Sequence, residues 1–182
     1  MKSELDVAVT WTTFPLHPET PLEGQTLEEL FAGRGLDIPR MLAHLKKTAD
    51  GLGLPFGERP NTYNSRRAQE LGKWAESQGR GDQFHHAAFA AYFADGRNIA
   101  DMEVLADIAA AAGLPGKDVS QVIETGRYSA TVDADWQRSN QLGIQVVPTF
   151  HANGRKMEGA KSYEALLELV TSSADRTPSF QL

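Results

Sequence analysis

QLGIQVVPTFHANGRKMEGA, residues 141–160, is the stretch whose reading decides the fold. Ile144-Gln145-Val146-Val147 is a strand-like run that meets Pro148 and stays apolar through Thr149 and Phe150. Proline cannot donate a ladder hydrogen bond, so it is out of place inside a central strand. A strand over 144–150 interrupted there needs a reason. Asn153-Gly154 follows, a pair that tolerates the positive φ angles of a two-residue hairpin turn. Lys156–Glu158 then reads as the return strand. Ser162 caps a last helix that faces Leu166, Leu169 and Val170 inward, and the tail after Thr171 reads as frayed.

Working outward, LDVAVTWTT at 5–13 alternates Leu5, Val7, Val9 and Trp11 against Asp6, Ala8 and Thr10, the pattern of a strand with one face buried. Pro15, Pro18 and Pro21 mark an extended loop. Thr26-Leu27-Glu28-Glu29 is a capping box opening a short helix that stops near Gly33. Asp37 caps the next helix, with Met41, Leu42, Leu45 and Ala49 inside. Helices follow from Asn64 or Ser65 through Leu71, Trp74 and Ala75, and from Gln83 to Phe93. A further helix is capped by Asp101, with Leu105, Ile108, Ala109 and Ala112 inside, and two more cover 117–126 and 129–142. The order strand, helical block, strand, hairpin, strand, helix is an α/β layout. It divides into a core of 1–36 and 143–182 and a helical insertion of 37–142.

The totals exclude several functions. The chain has 182 residues, room for one domain with a large insertion. A net charge of -6 gives no reason to expect nucleic acid or an anionic membrane as partner. No run reaches the roughly 18 apolar residues of a membrane span. The start, MKSELD, has no apolar signal core, so a cytoplasmic address is expected. With no cysteine at all, there is no disulfide, thiolate zinc site, iron–sulfur cluster or thiol nucleophile in this sequence. No P-loop, dinucleotide fingerprint or nucleophile elbow is present, and neither a cofactor nor a metal is expected.

Other candidates have bland readings beside the sharp ones. His85 and His86 are adjacent on a helix and point about 100° apart, so they do not jointly ligate a metal. His17 and His151 sit where they could line a site, without an identifiable carboxylate partner. Arg66-Arg67 could clamp an anion at a helix start, although an exposed pair is the commoner meaning. Glu28-Glu29 and Asp133/Asp135 read as capping and solvated faces. Trp74, Phe84 and Trp136 stand at core spacing.

GIQVVPTF and HANGRKMEGA together resemble the end of a thioredoxin fold, where a Val-Pro-Thr places a cis proline. NTYNSRRA at 61–68, AYFADGRNIAD at 91–101, Leu105-Ala106 and Ala112-Gly113-Leu114 narrow this to a resemblance to the DsbA family, nearest its FrnE-like dithiol oxidoreductases. Trp11 and Phe14-Pro15-Leu16-His17-Pro18 are similar to that branch's second strand and following loop. The resemblance implies a thioredoxin-like fold lacking its first βα unit, which in that family carries Cys-x-x-Cys. It also implies a cis Val147–Pro148 bond that turns Val147's N–H and C=O to solvent, where an extended peptide could pair with them. The bland alternative is that Pro148 merely ends an edge strand. Substrate-binding residues are then Val147, Pro148, Thr149, Phe14 and His17, with no catalytic residue, and the ligand is an extended peptide or a small molecule.

Two functions remain open. One is a redox-inactive relative of the disulfide oxidoreductases that acts by binding. The other is a truncated oxidoreductase or isomerase whose Cys- or Ser-bearing N-terminal unit lies outside this chain. Losing a central strand would leave unpaired backbone groups at about 1–3 kcal/mol each, against a stability of about 5–15 kcal/mol. A homodimer that fills the gap is the expected remedy.

Overall fold

The structure is a computed structural model, and it describes residues 7–172. The described residues form two compact units, one of residues 7–16 with 135–172 and one of residues 17–134. The larger unit contains a short pairing that the sequence did not reveal. β1 (Gln25–Thr26) and β2 (Asn61–Thr62) form an antiparallel ladder with Gln25 opposite Thr62 and Thr26 opposite Asn61. That ladder, extended by Leu27 N–H donating to the Pro60 carbonyl at 2.9 Å, ties the proline-rich loop into the helical unit.

In the larger unit, α1 (Leu27–Leu30) opens on the predicted capping box. Glu29 N–H donates to Thr26 Oγ1 at 3.1 Å and Thr26 N–H to Glu29 Oε2 at 2.8 Å. α2 (Ile38–Gly51) is capped by Asp37, but only Ile38 is buried, and Leu45, expected inside, is 39 % exposed. α3 (Arg66–Ser77), α4 (Gly81–Phe89), α5 (Met102–Ala111) and α6 (Val119–Glu124) enclose the core. It consists of Leu71, Trp74, Ala75, Phe84, Ala91, Leu105, Ile108, Ala109, Ala112, Leu114 and Val119. The periodicity had marked most of these positions, since apolar residues three and four apart share one helix face.

The helix expected from Gln83 to Phe93 does not run through. α4 ends at Phe89, and Ala90–Ala94 is a single π-turn. Wider turns of this kind recur at functional sites. Gly57 makes the turn's close neighbour possible: its N–H donates to the Phe93 carbonyl at 2.9 Å, and a Cβ on it would collide with the Ala94 carbonyl oxygen.

In the smaller unit, the C-terminal part of α7 (Ser129–Gln141) leads into β3 (Thr149–Ala152), β4 (Arg155–Glu158) and α8 (Tyr163–Thr171). Asn153 (φ 52) and Gly154 (φ 75) supply the two positive-φ residues of the hairpin turn, as the sequence signalled. Ser162 caps α8, accepting from Ala165 N–H at 3.3 Å, and Leu169 is buried. Two strands are corrected. The stretch expected from 144 to 150 becomes a strand only at Thr149. Residues 7–13 form no ladder, residues 5 and 6 lie outside the described residues, and Val9 is 51 % and Trp11 40 % exposed. Among the described residues no third strand pairs with the hairpin, so the alternation at 7–13 has no neighbour to bond to.

Candidate functional site

Thr13, at the end of the 7–13 segment, is held by a helix face. Asp135 and Ser139 are four apart on α7 and therefore share one side of it. Thr13 donates to Asp135 Oδ2 through its N–H at 2.9 Å and its hydroxyl at 3.3 Å, and its carbonyl accepts from Ser139 Oγ at 3.4 Å. Asp135 is thus a backbone partner and not the solvated carboxylate expected from the sequence. The clamp sets Phe14 and Pro15 beside Trp136, Gln137, Asn140 and Ile144, and these six residues line an open cleft of about 470 Å³. Of the six, the sequence had pointed only to Phe14 as a binding residue. Trp136 read as core, and Gln137, Asn140 and Ile144 carried no signal, because only the fold brings them opposite the loop.

Ile144 is also the start of the segment that enters the hairpin. Its N–H donates to the Ser139 carbonyl at 3.0 Å, and the Gly143 carbonyl accepts from Lys156 Nζ at 3.1 Å. Thr149 Oγ1 donates to the Val146 carbonyl at 2.7 Å, and Gly159 N–H to the Pro148 carbonyl at 2.8 Å. The Val147–Pro148 peptide bond is cis. Among the described residues, Val147's own N–H and C=O have no hydrogen-bond partner. Val146 and Val147 expose 44 % and 46 % of their surface, and Phe150 36 %. Val147, Pro148, Thr149 and Phe14 belong to the same unit.

His17, the fifth residue expected in the site, belongs to the larger unit. Its ring meets Phe31 edge-on at 6.2 Å. Burial, aided by the Arg34 charge, pushes its imidazole below the ordinary histidine range. The Arg66-Arg67 anion clamp is not available. Arg66 is committed to Glu70 at 2.8 Å and Asp133 at 2.6 Å, and Arg67 to the Ala100 carbonyl at 2.8 Å. His85 lies 3.6 Å from Glu76 Oε1. No set of three or more His, Asp or Glu residues among the described residues is placed to hold a metal ion.

A hairpin closed by a helix, with a helical unit carried between the two ends of the chain, defines a class. The chain belongs to the DSBA-like thioredoxin domain family, whose profile matches residues 1–171. It is similar to the crystal structure of a probable DsbA oxidoreductase from Streptomyces coelicolor. The two share 27% identity and a TM-score of 0.80, over 94% of this chain and 77% of that one. A structure from Nitrosomonas europaea described as a protein disulfide isomerase shares the fold at 18% identity and a TM-score of 0.61, over 80% of this chain and 74% of that one. No curated protein matches the sequence. The fold class expected from the sequence, α/β and thioredoxin-like with helices between its parts, is the one observed. No helix among the described residues is long and apolar enough to cross a membrane.

Proposed function

We propose that the smaller unit is a docking platform for an extended peptide and that this chain acts by binding, without thiol–disulfide exchange. The observation that carries the reading is the open pair of main-chain groups on Val147, set between exposed apolar side chains. A backbone N–H and C=O left unbonded on an exposed edge can form two hydrogen bonds to an added strand. The cleft in the same unit, walled by Phe14 and Trp136 and reached along the chain through Ile144, gives an apolar side chain of that strand a place to sit. Disulfide exchange begins with attack by a thiolate, and the 182 residues contain none.

The test is the affinity of a fluorescein-labelled, unfolded apolar peptide without cysteine. Val147→Pro removes the N–H donor and should weaken it about tenfold, and Phe14→Ala, acting at the cleft, about fivefold. Val147→Ala, which keeps the main chain, should change it little. Equal affinity of V147P and the parent protein sinks the reading. Insulin reduction by dithiothreitol should proceed at the uncatalysed rate, and acceleration would do the same.

In this reading the protein stands with the FrnE-like branch and works in the cytoplasm as a homodimer. Val9 and Trp11, more than a third exposed, support association, since uncovered apolar surface of this kind marks contact sites. A monomer by light scattering at about 50 μM, where even a weak dimer forms, rejects the dimer and leaves the docking surface standing.

A further inference from the structure

Four arginines of the larger unit are half-buried: Arg59, Arg66, Arg67 and Arg97. Three of them have oxygen partners. Arg66 holds Glu70 and Asp133, Arg67 holds the Ala100 carbonyl, and Arg97 holds Asp107 at 2.5 Å. Arg59 has none among the described residues, and its Nε is buried without a hydrogen-bond partner. An Nε–H withdrawn from water normally takes a carboxylate or carbonyl as compensation. Here the compensation is aromatic. The Arg59 Cζ lies 4.6 Å from the centroid of the Tyr92 ring and 5.1 Å from that of Phe93.

Both rings sit on the π-turn at Ala90–Ala94, and neither is loose. Phe93 stacks with Phe56 at 6.3 Å, and Tyr92 meets Tyr63 edge-on at 6.4 Å. The Tyr92 hydroxyl is paired with Thr62 Oγ1 at 3.0 Å. The arginine's own backbone is held on both sides. Gly57 N–H is bonded to the Phe93 carbonyl and the Pro60 carbonyl to Leu27 N–H. The result is a planar cation fixed against two rings, with its orientation set before any ligand arrives and no internal counter-charge. Preorganisation of that kind lowers the entropy lost on binding.

We propose that Arg59 anchors a binding site for a carboxylate carried on an apolar or aromatic body. The carboxylate takes up the N–H groups of the two Nη atoms, which have no partner among the described residues and whose fork matches two carboxylate oxygens. The rings of Phe56, Tyr92 and Phe93 give the body of the ligand an aromatic surface to lie against. The site lies wholly within the larger unit and does not depend on the Val147 platform.

Benzoate is the probe, followed by saturation-transfer NMR on the full chain with benzyl alcohol as its neutral counterpart. Saturable benzoate binding in the millimolar range is expected, about tenfold tighter than benzyl alcohol. Arg59→Gln should weaken it about tenfold, and Arg59→Lys, which keeps the charge but loses the planar fork, about threefold. Thermal melting of each variant reports whether it is folded, and R59K decides should R59Q fail to fold. Absence of saturation up to about 20 mM, equal binding of the alcohol, or unchanged affinity in a folded variant overturns the proposal. Phosphate competing as well as benzoate overturns the aromatic body and shows a general oxyanion site.

Discussion

His85 shows how one half-buried side chain makes the fold sensitive to acid. Burial between α3 and α4 pushes its imidazole below the ordinary value of about 6.5, with Lys73 adding in the same sense, while Glu76 and Asp82 partly oppose them. A histidine with a lowered folded-state pKa is neutral in the fold and takes up a proton more readily when unfolded. Its full contribution to stability is therefore present above the unfolded value of about 6.5. It is lost as pH falls from there through the lowered folded value. Urea midpoints should drop as pH falls below the unfolded value of about 6.5, and His85→Gln should flatten part of that slope. His17, lowered by burial and then by Arg34, acts in the same direction and accounts for a further part. A slope unchanged in H85Q would contradict the assignment.

Asn153 is the point where two elements of the smaller unit depend on one residue. Its left-handed backbone turns β3 into β4, and its Nδ2 donates to the carbonyls of Leu169, Val170 and Ser172 at 3.3, 3.0 and 3.0 Å. The turn thereby caps the C-terminal end of α8, where carbonyls lack helical partners. Asn153→Ala should cost about 1–3 kcal/mol in a denaturation experiment. Asn153→Gly keeps the turn conformation and isolates the carbonyl bonds, so it should recover only about 0.5–1 kcal/mol of that loss. Full recovery in N153G would mean that the side chain's bonds contribute nothing. The turn was legible in the sequence because Asn-Gly is local chemistry, and the caps at Thr26, Asp37, Asp101 and Ser162 were legible for the same reason. What could not be read depended on distant partners. The alternation at 7–13 promised a strand, but a strand needs a neighbour, and Thr13 found Asp135 instead. The π-turn and the stacking of Arg59 on Tyr92 and Phe93 arise from a loop packing more than thirty residues from those rings, which no local pattern records. The same holds for the cleft, where Trp136 became a wall only once the 13–15 segment lay beside it.

Across the whole molecule, protection is distributed unevenly. In the larger unit, Leu71, Leu105, Ile108 and Ala109 are inaccessible to solvent at the centre of a continuous cluster. In the smaller unit, the fully covered apolar position among the described residues is Leu169, and the backbone of 144–148 is outside any ladder. Native-state hydrogen exchange should place the slowest amides in α3 and α5 and the fastest at Val147, whose N–H has no acceptor. Comparable protection at Val147 would show that its amide is already engaged, and the peptide platform would go with it.

The uncovered edge around Val146, Val147 and Phe150 also bears on handling the protein. At neutral pH a charge of -6 keeps copies apart and so masks the stickiness of that surface. Near the isoelectric point of about 5.4 that mutual repulsion vanishes, and the protein becomes its own precipitant. Colloidal behaviour in mild acid is thus a property of a few valines and a phenylalanine, and a lysine on that rim would be the natural solubilising change.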